Sequence, residues 1–390
     1  MATQPPSYPV TMAPVNRPIV AAVGAMALAA SLAFVWFDAR QQREYRRLLA
    51  AGDEAVTHGQ TLEAIEAFSG ALTLKPDSMI ARLMRGETYR QRGEFASAVR
   101  DLTEAAALDP SAPRPLELLG DAHAAMGQPA AAVADYERSL RLDESAPRVV
   151  YKLGFAHYRN GDVPGAIEAL RKAVSLDNRM PQAHYLLGLC LRDRPPRNQA
   201  EGAFLKAIEL EPTFAAAREE LVTLYTDSGR PRQAIEQLEA LSALEPTRPE
   251  RLVSVGLAYA RLGRRDAAVL TLGRAVERHP DSTIVYTALG RVWLEAAERD
   301  DDRAALNKAL EALAPVAEQP TATSDALTMY GRALFLSGST TAAERVLRRA
   351  TEQFPVEPIA FTYLASAARR LGHAAMAQEA EARHAALVAE

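Results

Sequence analysis

One spacing dominates this chain: glycine recurs at Gly52, Gly86, Gly120, Gly154, Gly188, Gly256 and Gly290, every 34 residues or, across Val222, every 68. A second glycine series runs seven residues behind, at Gly59, Gly93, Gly127, Gly161, Gly229 and Gly263. Small Ala64, Ala98, Ala132, Ala166, Ala200, Ala234 and Ala268 keep the same phase. So do large apolar residues four places later, at Phe68, Leu102, Tyr136, Leu170, Phe204, Leu238 and Leu272. Prolines close units at Pro76, Pro110, Pro212, Pro246 and Pro280. A fixed period of this length excludes a single large core and demands stacked units, each packed by its neighbours. At 390 residues the chain exceeds what one core normally fills.

Each series has a physical reading. Apolar positions such as Leu116, Leu119 and His123 fall at helical spacing between a proline and the second glycine. That glycine stops a first helix by entering the left-handed region without a Cβ penalty. A second helix then runs to the proline, which cannot continue it. The first glycine is expected to face the alanine across the hairpin, and the large residue to fill the gap towards the next unit.

The pattern Leu-Gly-x2-Tyr/His followed by Ala, Phe/Leu, Ala and Pro resembles the tetratricopeptide repeat over residues 45–390, close to ten units. The resemblance implies an all-α fold, a right-handed solenoid of helix-turn-helix pairs with a concave groove that binds protein segments. Departures stand at Glu144 and Asn178 (no closing proline), at Val222 (no first glycine) and at Arg194-Pro195-Pro196-Arg197 (no turn glycine). Gly290 to Gly331 is 41 residues, so unit eight, about 283–323, carries seven extra around Glu298–Arg303, read as a solvated loop. Phase returns at Gly338, Ala343, Leu347 and Pro355, and 373–390, with polar Glu381 and His384, reads as a capping helix.

Ahead of the repeats, residues 18–37 hold no charge between Arg17 and Asp38. As a helix of about 1.5 Å per residue they match a bilayer core, with Trp36 and Phe37 at its edge. The run is longer than a signal-peptide core, so an uncleaved single-pass anchor, 18–38, is expected, after a disordered proline-bearing tail at 1–17 and before a basic juxtamembrane helix start at 39–44. Arg40, Arg43, Arg46 and Arg47 follow the span and Arg17 alone precedes it, which places the repeats in the cytoplasm; the periplasm-facing orientation is the alternative. The anchored layout is similar to that of lipopolysaccharide-assembly adaptors bearing these repeats, without their terminal Cys knuckle.

Chemistry is not legible. There is one cysteine, Cys190, no phosphate-binding glycine loop and no paired metal motif, so no catalytic residue, cofactor or metal ligand is expected. A net charge of −4 argues against nucleic acid, and no small-molecule substrate is indicated. In the family, positions two, five, nine and twelve of the first helix line the groove. They carry Tyr151, Phe155 and Tyr158 in unit four, Tyr185 and Leu189 in unit five, and Arg291 and Arg332 at the ninth place of units eight and nine. Asp53, Glu87 and Asp121 hold the ninth place in the first three units, so the groove is expected to grade from acidic through aromatic to basic. The Lys and Asn that grip C-terminal carboxylates in some members are missing: Leu49, Leu83 and Glu117 hold position five. A scaffold for partner proteins follows, docking a peptide or helix at the aromatic stripe. An assembly or chaperone factor for export, or the specificity subunit of an enzyme complex, are the rival roles.

Overall fold

The computed structural model describes residues 17–389, with the backbone alone for 17–21, 23, 24, 27 and 389. The expected tail at 1–17 lies, but for Arg17, outside the described residues. The chain divides after Cys190 into two compact units. The first contains α1 (Arg17–Thr57), α2 (Thr61–Leu74), α3 (Met79–Gln91), α4 (Phe95–Leu108), α5 (Pro113–Ala125), α6 (Pro129–Leu142), α7 (Pro147–Arg159), α8 (Val163–Leu176) and α9 (Pro181–Leu191), which ends at the division. The second contains α10 (Asn198–Leu210), α11 (Ala215–Asp227), α12 (Pro231–Leu244), α13 (Pro249–Arg261), α14 (Arg265–Arg278), α15 (Thr283–Asp300), α16 (Arg303–Ala317), α17 (Ser324–Leu336), α18 (Thr340–Thr351), α19 (Pro358–Leu371) and α20 (Ala374–Ala389). The described elements are all helices, and each packs on the next from α1 to α8 in the first unit and from α10 to α20 in the second, as stacked hairpins must.

The turn glycines act as the spacing predicts. Gly59, Gly93, Gly127, Gly161, Gly229 and Gly263 all have φ between 66° and 80°, and Gly338 and Gly372, at 89° and 81°, make the same turn in the last two hairpins. Where the closing proline is missing, an aspartate holds the turn. Asp143 accepts the Ser145 N–H at 3.1 Å, and Asp177 the Arg179 N–H at 2.9 Å.

The first glycine does not face the alanine. A Cβ built at Gly154 would lie 2.7 Å from Leu170 Cγ, at Gly52 2.4 Å from the Phe68 ring, and at Gly256 2.6 Å from Leu272 Cγ. The small and large series are therefore partners inside one hairpin, and the large residue fills its own unit. Val222 is the exception that tests the rule. Its partner position, Leu238, is only half-buried, whereas Phe68, Leu102, Leu170 and Leu272 are fully buried.

Unit eight contains no loop insertion. α15 runs ten residues past Gly290 where α13 runs five past Gly256, and Leu313 stands three residues deeper in α16 than Leu272 does in α14. Seven residues make about two helical turns, so both limbs lengthen and the register survives: a Cβ built at Gly290 would lie 2.4 Å from Leu313 Cγ, and Ala309 is buried. Asp301, at φ 48°, makes the turn, and Asp302 caps α16 by accepting the N–H groups of Ala304 and Ala305. The extension then acts as a brace. Glu298 accepts from Arg332 on α17 at 2.9 Å and from Tyr363 on α19 at 3.3 Å, while Asp300 takes Arg265 of α14 at 3.0 Å. Glu298→Ala is expected to lower the stability of the second unit by about 1 kcal/mol, because charge-assisted but partly exposed bonds are lost. An unchanged denaturant midpoint would remove the brace.

α1 corrects the expected boundary at 39–44: no helix starts there. One helix of 41 residues runs from Arg17 to Thr57, since nothing between Gly24 and Gly52 breaks it. Its second half packs as a repeat helix, with Tyr45, Leu48 and Leu49 against Ala71, Leu72 and Ala81. Among the described residues no helix is long and apolar enough to cross a membrane; the expected span at 18–37 begins on residues whose side chains are not described. The capping helix is present as α20, burying Ala377 and Ala380 and pairing Glu381 with Arg369.

Candidate functional site

The first-helix face differs in kind along the chain. In the first unit the expected aromatic stripe lies on α7 and α9. Val149, Val150 and Ala156 of α7 enter the core, which turns positions at i, i+4 and i+7 outward. Phe155 is 39% exposed, with the Arg159 guanidinium 6.0 Å from its ring centre. Tyr151, Tyr158, Tyr185 and Leu189 are half-buried. Tyr151 packs against the cluster containing Val149 and Val150, and burial pushes its hydroxyl pKa up. So Phe155 is the open ring, and Tyr151 is shared between core and surface. His123 meets Asp135 of its own hairpin's second helix at 2.7 Å.

The expected gradient of charge is not a gradient of free charge. Glu87 on α3 is paired with Arg114 on α5 at 2.9 Å, and Asp121 and Glu117 on α5 with Lys152 on α7 at 2.8 and 2.7 Å. In the second unit Glu220 takes Arg192 at 2.9 Å, Arg291 meets Asp325 at 2.7 Å, and Arg332 meets Glu298. Within the units, the first helices α3 and α5, α5 and α7, and α15 and α17 are thus tied together by ion pairs 27–35 residues apart in sequence. Sequence reasoning missed Lys152, Glu220, Asp325 and Glu298. Their only signal is an opposite charge one repeat away, which becomes meaningful once the stacking register is known.

These pairs leave a mark on protonation. Burial would raise the Glu117 pKa, but the Lys152 and Arg114 bonds outweigh it and hold the carboxyl below its ordinary value. Glu201 is held low by Arg230, then by Tyr225, whose own hydroxyl is pushed up to about 12 by burial and by that carboxylate. A carboxyl with a depressed folded pKa stabilises fully above its unfolded value of about 4.3, and that stabilisation disappears as pH falls through the folded pKa. The melting temperature should therefore hold from pH 7 to about 5 and fall below about 4. In thermal melts Glu117→Gln with Glu201→Gln should flatten that fall; parallel curves would contradict the assignment.

Arg291 and Arg332 do come together. Both line a hollow of about 350 Å3 on the first-helix face of α15, α17 and α19. Its floor holds buried Leu294, Thr328 and Met329, and Ile359 and Glu357 stand at its α19 edge. Both carbon and charged atoms reach the surface there, a composition suited to a side chain rather than to a metal. No group of ligating residues that could hold a metal ion occurs among the described residues.

The tetratricopeptide repeat family profile matches residues 49–113, 117–181 and 253–318, half of the chain. No curated protein matches it. Among solved structures, the C-terminal part of a repeat-containing protein from Cytophaga hutchinsonii is 18% identical with a TM-score of 0.54, covering 63% of this chain and 99% of that one. It shares the fold. MamA is 27% identical, covering 45% of this chain and 95% of that one, with a TM-score of 0.41. YrrB, described as a repeat protein with an unusual peptide-binding site, is 22% identical over 47% of this chain and 94% of that one, with a TM-score of 0.42.

Proposed function

This chain belongs to the tetratricopeptide repeat family, and we propose that it is a membrane-anchored scaffold whose first-helix faces hold segments of partner proteins. The observation that carries this reading is the stripe on α7. Between α3 and α5, and between α15 and α17, ion pairs link the first helices of neighbouring repeats. At Tyr151, Phe155 and Tyr158 the first-helix face presents ring surface, and one ring stands open. Large aromatic side chains on such a face supply contact area at low entropic cost, the property that anchors protein interfaces.

The anchor rests on the uncharged run at 18–37 and on the state of α1 around it. Leu28, Leu32, Phe34, Val35, Trp36 and Phe37 are 56–74% exposed, with no protein surface covering them. A lipid bilayer covers such residues at no cost to solubility. Arg40, Arg43, Arg46 and Arg47 beyond them favour a cytoplasmic array.

Isolation of the chain, tagged after Glu390, from its native membranes tests both parts. It should resist alkaline carbonate extraction and co-purify with the same few proteins in repeated isolations. Release by carbonate would sink the anchor, and the lack of any constant companion would sink the scaffold. A topology reporter at the same position decides the orientation.

A further inference from the structure

The hollow on α15, α17 and α19 carries free charge opposite to what its arginines suggest. Arg291 is occupied by Asp325 at 2.7 Å. Arg332 donates to both oxygens of Glu298 at 2.9 Å, and its guanidinium stacks 5.2 Å from the Tyr363 ring centre. Glu295 and Glu357, also on the wall, are exposed and form no ion pair among the described residues. Two neutralised cations and two unneutralised carboxylates thus stand around an apolar floor of Leu294 and Met329.

We propose that this hollow receives a lysine or arginine side chain from a partner protein's segment. The inference rests on the scaffold reading and names what one part of that face selects. The apolar floor suits the methylene stem of such a side chain, and the free carboxylates suit its charged head. At about 350 Å3 the space is at the small end of ligand cavities (~300–1,000 Å3), room for a side chain and not for a folded element. An acidic group would fare worse. To reach either arginine it would have to displace Asp325 or Glu298, leaving one carboxylate unpaired. Placement on the first-helix face, across α15, α17 and α19, leaves the mouth open to a segment laid across the helices.

The test uses the full chain in detergent micelles and two fluorescein-labelled probes. One is an alanine–glutamine peptide bearing two lysines, the other the same peptide bearing two glutamates. Binding is read by anisotropy, and location by the methyl resonance of Met329, assigned with Met329→Leu. The lysine peptide should bind and move that resonance. Glu295→Gln with Glu357→Gln should weaken it about tenfold, while Glu168→Gln, at an exposed position of α8, should leave it unchanged. The inference is overturned if the glutamate peptide moves Met329, or if the double variant binds as tightly as the parent. It is equally overturned if neither peptide binds while natural partners still co-purify, and in that case the scaffold reading stands. If the partners are missing as well, both readings fail together.

Discussion

Gly154→Leu is expected to destabilise the chain by about 1–3 kcal/mol, through overpacking confined to the repeats around α7 and α8. The Cβ alone would sit 2.7 Å from Leu170 Cγ, 3.0 Å from Cδ2 and 3.4 Å from the Leu170 backbone nitrogen. The backbone approach is close to an ordinary contact, so the cost comes from displacing the buried Leu170 side chain to make room for the new one. Val222 shows how the fold yields when the glycine is absent: Leu238 opposite it gives up part of its burial. Hydrogen exchange should therefore quicken in α7 and α8 before it does elsewhere. Adding Leu170→Ala to the leucine variant should recover part of the loss, although Leu170→Ala alone in the parent costs about 2–5 kcal/mol. An unchanged melting temperature in Gly154→Leu would mean that the small–large pairing is not what seats the hairpin.

Phe155→Ala should weaken partner binding by about 2 kcal/mol, or some thirtyfold, with little change in melting temperature. The exposed ring has few core contacts to lose. Adding Tyr151→Ala should deepen the binding defect but also lower stability, because Tyr151 packs against the Val149 and Val150 cluster. Tyr151→Phe separates the two effects: it keeps the packed ring and loses only the hydroxyl. Titration of an isolated companion protein by calorimetry, with denaturant melts of the same samples, measures both. Equal affinity for parent and Phe155→Ala would remove the stripe as the docking site.

The helix pairs were readable because their signals are local and repeated. A glycine that must take positive φ, an alanine that must be small and a proline that must stop a helix leave the same mark in each unit. What was misread is instructive in the same terms. The charged run at Glu298–Arg303 looks like a loop by composition, yet glutamate and arginine are good helix formers and seven residues fit two turns. The facing of Gly154 by Leu170, not by Ala166, depends on the rotation of one helix against the other, which spacing alone leaves open. The ionic ties between first helices depend on contacts between residues about one repeat apart, so the individual charges of Glu87, Asp121, Arg291 and Arg332 were visible but their neutralisation was not. Phe155 was visible as an aromatic at a groove position. That it stands more open than Tyr151 follows from packing around α7.

A photo-reactive phenylalanine analogue placed at position 155 tests the scaffold reading most directly, compared with the same analogue at Leu142, which is 43% exposed on the second helix α6. Irradiation of cells should cross-link position 155 to one or a few defined proteins and leave position 142 without adducts. Equal adducts from both positions, or adducts from 142 alone, would contradict the assignment of the first-helix face as the surface that holds partners.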